Sequence, residues 1–268
     1  MNTHKDNNHV ALGKLEYEET RLLGGRVVCL QTKNGYRAAI DPVFLAAAID
    51  ANAGDRVLDV GSGTGAASLC LAARIPGVEI TGIEIQSEYA QMARKSASLT
   101  GVKKQINFIT ADLTTLPKSR IFREFDHVMT NPPYIMVGRG RVSSDKTKAR
   151  ANFESHVALD QWIYHCLRMI RSRGIFTIIH RADRLEHIMA SITGVLGNIV
   201  VFPLWPSYVS SNKNESTNAN RIIISGRKGV KSPGVLSSGI TLHEGLDGRY
   251  TNDANSILTH AFPLKLNS

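Results

Sequence analysis

From residue 56 onward the sequence alternates short apolar runs with helix-like stretches, and its first such unit carries a glycine loop. Val57-Leu58-Asp59-Val60 reads as a buried strand, Gly61-Ser62-Gly63-Thr64-Gly65 as a tight loop, and 66–74 as a helix. Glycines let the backbone approach a ligand closely, and the start of the helix offers free N–H groups. Further strands are expected at 78–85, 106–109, 125–130, 174–179, 199–204 and 221–225, and helices at 87–100 (capped by Ser87), 159–170 and 181–195. Strands alternating with helices predict an α/β fold with a doubly wound, mostly parallel sheet. No helix separates the last two of these strands, so that pair is expected to be antiparallel and at a sheet edge.

Upstream, residues 1–20 read as loosely ordered. Between 20 and 40 two β-like runs are separated by the turn signals Gly24-Gly25 and Asn34-Gly35. Asp41-Pro42 then opens a helix, with Asp41 expected as its N-cap. The amino terminus is polar and mixed in charge, without the apolar core of a signal peptide, so a cytoplasmic location is expected. No run of 18 or more apolar residues occurs, which excludes a spanning helix. Cys29, Cys70 and Cys166 are far apart in apolar contexts and read as reduced core residues; their spacing fits no metal site, and none is expected. No internal repeat is found.

The glycine loop alone leaves the cofactor open. Gly61, Gly63 and Ala66 satisfy the dinucleotide pattern G-x-G-x-x-G/A, and Glu84 stands where a ribose-binding carboxylate belongs. An NAD-dependent dehydrogenase is therefore one reading. Asp59, two residues before Gly61, argues against it, because a carboxylate there opposes a pyrophosphate. It suits S-adenosylmethionine, which has no phosphate and carries an ammonium and a sulfonium. Asp112 follows the third strand and can accept from an adenine amino group. Asp59, Glu84 and Asp112 at successive strand ends are expected to line one cleft. The ordinary alternative is that Asp59 and Asp112 serve as caps and Glu84 lies on the surface.

Asn131-Pro132-Pro133-Tyr134 follows the fourth strand. Two successive prolines fix φ and remove two backbone donors, leaving the carbonyls of the turn for a ligand. Asn131 adds a side-chain acceptor and Tyr134 a ring, a set suited to a planar group bearing NH2. The connection at 137–159 carries Arg139, Arg141, Lys146, Lys148 and Arg150, opposed only by Asp145 and Glu154, and that at 209–220 is rich in Ser and Asn. With a net charge of +9 and a pI near 9.6, a polyanionic partner is plausible.

Asp59 to Gly65, Glu84, Asp112 and Asn131-Pro132-Pro133-Tyr134 together resemble class I S-adenosylmethionine-dependent N-methyltransferases. Gly35-Tyr36-Arg37, Asp41-Pro42 and Tyr250-Thr251-x-x-Ala254-x-x-Ile257-Leu258 are further similar to the bacterial tRNA1(Val) (adenine-37-N6)-methyltransferase family. The resemblance runs from about residue 20 to about 264. The polar insert SSNKNESTNAN departs from many relatives without touching a catalytic position. The resemblance implies a Rossmann-like sheet of seven strands, the last pair antiparallel, and an N-terminal segment, 1–54, covering the cofactor cleft of a methyltransferase domain, 55–268. It implies cofactor contacts from Tyr36, Asp41, Asp59, Gly61, Gly63, Gly65, Glu84, Ile85, Asp112, Leu113 and Asn131, and catalysis by Asn131, Pro132 and Tyr134. Arg139, Arg141, Lys146, Lys148, Arg150 and Arg181, with Arg184 beside it, are expected to hold a nucleic acid, tRNA first. The Asn-Pro-Pro-Tyr tetrad also serves relatives acting on rRNA guanine, DNA adenine and protein glutamine, so these acceptors stay open, as does a non-catalytic RNA-binding relative. A monomer is expected.

Overall fold

The computed structural model describes residues 16–33, 40–116, 124–133, 159–207, 218–245 and 247–267. Tyr36, Tyr134, Arg139, Arg141, Lys146, Lys148 and Arg150 lie outside the described residues.

The chain opens with strands β1 (Tyr17–Leu22) and β2 (Val27–Thr32), an antiparallel hairpin turned through Leu23–Gly25. Strand β1 thus starts at Tyr17, within the stretch 1–20 that the sequence suggested was loose. Helix α1 (Asp41–Ala47) follows. The main sheet is built from β3 (Arg56–Val60), β4 (Glu79–Glu84), β5 (Ile106–Thr110), β6 (Phe125–Thr130), β7 (Ile170–Arg181), β8 (Leu196–Ser207), β9 (Arg221–Lys228), β10 (Val235–Leu236) and β11 (Ile240–His243). Between and after them run α2 (Ala66–Arg74), α3 (Ser87–Thr100), α4 (Leu159–Met169), α5 (Leu185–Ile192) and α6 (Asn252–His260).

The strand order is β10-β8-β9-β7-β6-β3-β4-β5, with β11 also on β8. All seven expected strands are present, and the last two do pair antiparallel. Two corrections follow. Among the described residues the sheet has nine strands, because β10 and β11 add to the outer side of β8, which is therefore not an edge strand. Only β9 is reversed: it runs against both β7 and β8, and β8 keeps the direction of the rest. At two and four residues, β10 and β11 are too short to display a period-2 pattern.

The strands are buried on both faces, so successive residues enter different cores. Val57, Met129, Ile179 and Ile223 join α1, α2, the hairpin and α6 in one apolar cluster. Leu58, Val128, Ile178 and Ile224 join α4 and α5 in the other. Cys29, Cys70 and Cys166 are buried and free.

Three terminal assignments shift. Ser87 caps nothing: Gln86 is the N-cap residue of α3, and the Ser87 hydroxyl donates to Glu88 at 2.9 Å. Asp41 is the first helical residue of α1 rather than its cap, because its carboxylate accepts from Arg221 Nε at 2.9 Å. The helix expected at 181–195 is a short 3-10 turn, Ala182–Arg184, followed by α5, since Arg181 still belongs to β7. Helix α6 carries the carboxy-terminal motif. Thr251 is its N-cap, its side chain accepting from the Ala254 N–H at 3.2 Å, and Ala254 and Ile257 are its buried face.

Candidate functional site

Sequence order places β4 and β5 on one side of β3, and β6 on the other. The carboxyl ends of β3 and β6 therefore flank a topological switch point, where ligands bind in sheets of this kind. Val60 and Thr130 are register partners across it, so the turn beginning at Asn131 leaves the sheet beside the glycine loop.

The loop is pinned from the next strand. Gly61 and Ser62 both donate to the Ile83 carbonyl at 2.9 Å, and Gly65 donates to the Ser62 carbonyl at 2.8 Å. Gly61, Gly63 and Gly65 all have positive φ, where side chains are strained. The three differ in what surrounds them. A Cβ on Gly61 would meet the Trp162 ring at 2.8 Å, and one on Gly65 the Phe108 ring at 2.7 Å. A Cβ on Gly63 would meet nothing within 4 Å. Gly61 and Gly65 are thus required by packing, whereas Gly63 faces open space into which a ligand can come close.

Glu84 is buried at the end of β4 rather than on the surface. One carboxylate oxygen accepts from the Gly63 N–H at 2.8 Å and the other from the Gln86 N–H at 2.9 Å, which fixes the loop against the strand. Ile85, the next residue, is 51% exposed and offers an apolar surface at the same strand end. Leu113 is buried in the core shared with α4 and α5. Asp112 caps its own turn, one oxygen accepting from the Thr114 N–H and hydroxyl, both at 2.8 Å.

Asp59 shares the face of Val57, and so points under α2. It accepts from the Ser68 hydroxyl at 2.6 Å and also from the Ser68 N–H, satisfying donors in the first turn of α2. Burial raises its pKa from 3.8 to about 6, opposed by the Ser68 bonds and reinforced by the charge of Glu84. Asp59 and Glu84 therefore form an acidic pair behind the loop, while Asp112 stands apart on its turn.

Thr130 lies on the opposite face and meets α4. Its hydroxyl donates to the Val60 carbonyl at 2.8 Å and accepts from the Trp162 indole N–H at 3.0 Å. The same indole covers Gly61. One side chain thus braces the glycine loop and the residue preceding Asn131. Sequence reasoning missed Ser68, Thr130 and Trp162. Ser68 had a weak signal, a hydroxyl in the first turn of the helix; Trp162 had none, since its partners lie far away in sequence.

Of the expected basic residues, Arg181 is described. It pairs with Asp183 and lies in register with Arg221, which holds Asp41. Asp41 therefore stands at the β7–β9 end of the carboxyl edge. His180 is buried, its Nδ1 accepting from the Arg181 N–H at 2.8 Å, and burial lowers its pKa to about 4.

Comparison with known proteins adds a family match, two relatives and one similar solved structure. The methyltransferase domain family matches residues 51–213. A release factor glutamine methyltransferase of Chlorobaculum tepidum is 34% identical over 91 residues, 34% of this chain and 31% of the relative. A tRNA1(Val) (adenine(37)-N6)-methyltransferase of Porphyromonas gingivalis is 27% identical over 164 residues, 59% of this chain and 64% of the relative. The chain thus spans less than two thirds of the length of either curated relative. In fold it is similar to a crystal structure from Agrobacterium tumefaciens described as a predicted O-methyltransferase. The TM-score is 0.67 at 23% identity, covering 85% of this chain and 100% of that one.

Proposed function

The chain belongs to the methyltransferase domain family, with S-adenosylmethionine as methyl donor, and from that premise we propose that it methylates an exocyclic amino nitrogen, N6 of adenine in tRNA. The observation that carries this reading is the Asn131-Pro132-Pro133 turn at the switch point, beside the glycine loop.

The loop residues fit the donor. Gly63 faces open space, Ile85 presents an apolar surface for a flat ring, and Asp59 and Glu84 supply negative charge, which opposes a pyrophosphate. When bound, S-adenosylmethionine supplies a methyl group on a positively charged sulfur. The chain's own work is at the acceptor. An adenine N6 is a poor nucleophile because its lone pair is delocalised into the ring. The Asn131 side-chain oxygen and the Pro132 carbonyl can accept from both N6 protons, favouring an amine-like nitrogen with an available lone pair. Pro132 and Pro133 have no N–H, so no backbone donor competes at those two positions. Tyr134 completes the motif in sequence as a stacking surface for the base. Catalysis of this kind is positioning and preorganised electrostatics and needs no strong general base. A stacked base must first be turned out, at a cost of a few kcal/mol. Arg181 and the basic stretch from Arg139 to Arg150 offset that cost through phosphate contacts.

Two facts support tRNA over other acceptors: the net charge of +9, and the longer span over which the tRNA-modifying relative aligns. The glutamine methyltransferase, at higher identity over fewer residues, favours protein glutamine as the second reading. Asn131→Ala is expected to abolish methyl transfer while leaving S-adenosylmethionine affinity within a few-fold by calorimetry. Retained turnover in a tritiated-methyl assay refutes the role of Asn131. Mass spectrometry of the labelled product separates the acceptors: N6-methyladenosine in tRNA supports the first reading, and N5-methylglutamine in protein replaces it with the second.

A further inference from the structure

The amino edge of the sheet, opposite the switch point, holds a groove of about 790 Å³. Arg56, Glu79, Ile106 and Phe125, the first residues of β3, β4, β5 and β6, line it, so it lies one full strand length from Asn131. For the five residues of β3 that is roughly 17 Å. Its other wall is α3 and the turn after it, which add Arg94, Lys95, Lys103 and Lys104. Among the described residues that line it, five are cationic and one, Glu79, is a carboxylate.

The groove is set apart by gathering several cations along one wall, two of them held by neutral groups. Some other surface cations are paired with carboxylates, Arg171 with Asp126, Arg181 with Asp183, Arg249 with Asp247 and Lys33 with Glu16, and others, such as Arg26 and Arg227, donate to backbone carbonyls. In the groove, Arg94 donates to the Phe108 carbonyl at 2.9 Å, and Lys95 donates to the Tyr17 hydroxyl at 3.1 Å while lying over its ring. These neutral partners fix the side chains and leave their charge in place. Lys103 and Lys104 stand exposed beside them. Fixed, unneutralised cations bind an anion with less ordering cost than free surface lysines do.

We propose that this groove is a second contact for the substrate, holding the sugar–phosphate backbone of the RNA whose base is methylated at Asn131. The inference rests on the RNA reading above and extends it: a single nucleoside at Asn131 does not reach the groove, whereas a folded RNA does. Phosphate neutralisation releases counterions, so each contact steepens the salt dependence of binding.

The test is the double variant Lys103→Glu/Lys104→Glu in the full chain. It is expected to weaken binding of unfractionated tRNA about tenfold at roughly 0.1 M salt and to reduce the slope of log K against log salt by about two. The loss should appear in KM for tRNA, with S-adenosylmethionine affinity unmoved. Lys231→Glu/Lys265→Glu changes net charge equally at exposed sites that do not line the groove, and should keep wild-type tRNA binding. Wild-type affinity and slope in the first variant overturn the proposal, as does an equal loss in the second. Wild-type protein that methylates tRNA yet fails this comparison removes the groove alone. Wild-type protein that binds no RNA and methylates protein removes both readings.

Discussion

Asp59 serves two ends that pull apart. Its carboxylate holds Ser68 at the start of α2, yet it is buried and close to Glu84, so its pKa rises to about 6. A folded-state pKa above the unfolded value of 3.8 means that the native state holds this proton longer than the unfolded chain does. Stability from this group is greatest below about pH 4 and falls as pH rises towards about 6. Asp59→Asn keeps the acceptor for Ser68 and removes the charge. It is expected to stabilise the free protein at pH 7 by up to about 3 kcal/mol, from roughly two pH units at 1.36 kcal/mol each. The gain should vanish near pH 4, while affinity for S-adenosylmethionine falls. Urea denaturation of both proteins at the two pH values checks this, and an unchanged midpoint at pH 7 contradicts it. His180 acts in the opposite sense, losing stability as pH falls from 6.5 towards about 4, but it is common to both proteins and cancels in the comparison. Asp59 was legible as an acid at a strand end; its burial and its partner were not, because both depend on α2 folding back over the sheet.

At the scale of elements, α3 does more than cover the sheet. Ser96 and Thr100, four residues apart, share one face of the helix. The Leu30 N–H donates to the Ser96 hydroxyl at 2.9 Å, and the Val28 N–H and carbonyl both meet the Thr100 hydroxyl at 3.1 Å. The two hydroxyls complete the edge of β2 that β1 leaves open. Ser96→Ala/Thr100→Val leaves three backbone groups of a largely buried strand without these partners, each worth about 1–3 kcal/mol when unsatisfied. Hydrogen exchange at the Val28 and Leu30 amides should accelerate well beyond that in β3 and β6; unchanged protection counts against the arrangement. The helix itself was read from sequence at its true bounds, since apolar spacing and the Gly101 stop are local signals. Its bonds to β2 were not legible, because the partners lie 66 and 72 residues away. The Ser87 and Asp41 caps were misread for the complementary reason: cap preference is local, and Asp41 was taken up by Arg221, 180 residues on.

For the whole molecule, the alternation of strand and helix made the seven principal strands legible, together with the antiparallel pairing of the last two. What it left out was the lateral order beyond β8 and the meeting of the two ends. Arg26 donates to the Thr259 carbonyl at 3.1 Å, and Leu264 to the Ala47 carbonyl at 2.8 Å, so hairpin, α1 and α6 share one core. The reversed strand β9, wedged between β7 and β8, bears on how the chain acquires its shape during synthesis. Every strand that pairs with β8 lies after it in sequence, so β8 emerges with no partner and the outer edge of β7 stays bare until residues 221–228 arrive. Such late, non-local closure slows folding and leaves an adhesive edge in the meantime. A fragment ending at residue 217 is expected to be protease-sensitive and prone to aggregate, and to regain resistance when a 218–268 peptide is supplied in trans. A fragment as resistant as the full chain shows instead that the first six principal strands close by themselves and that β9 arrives as an addition.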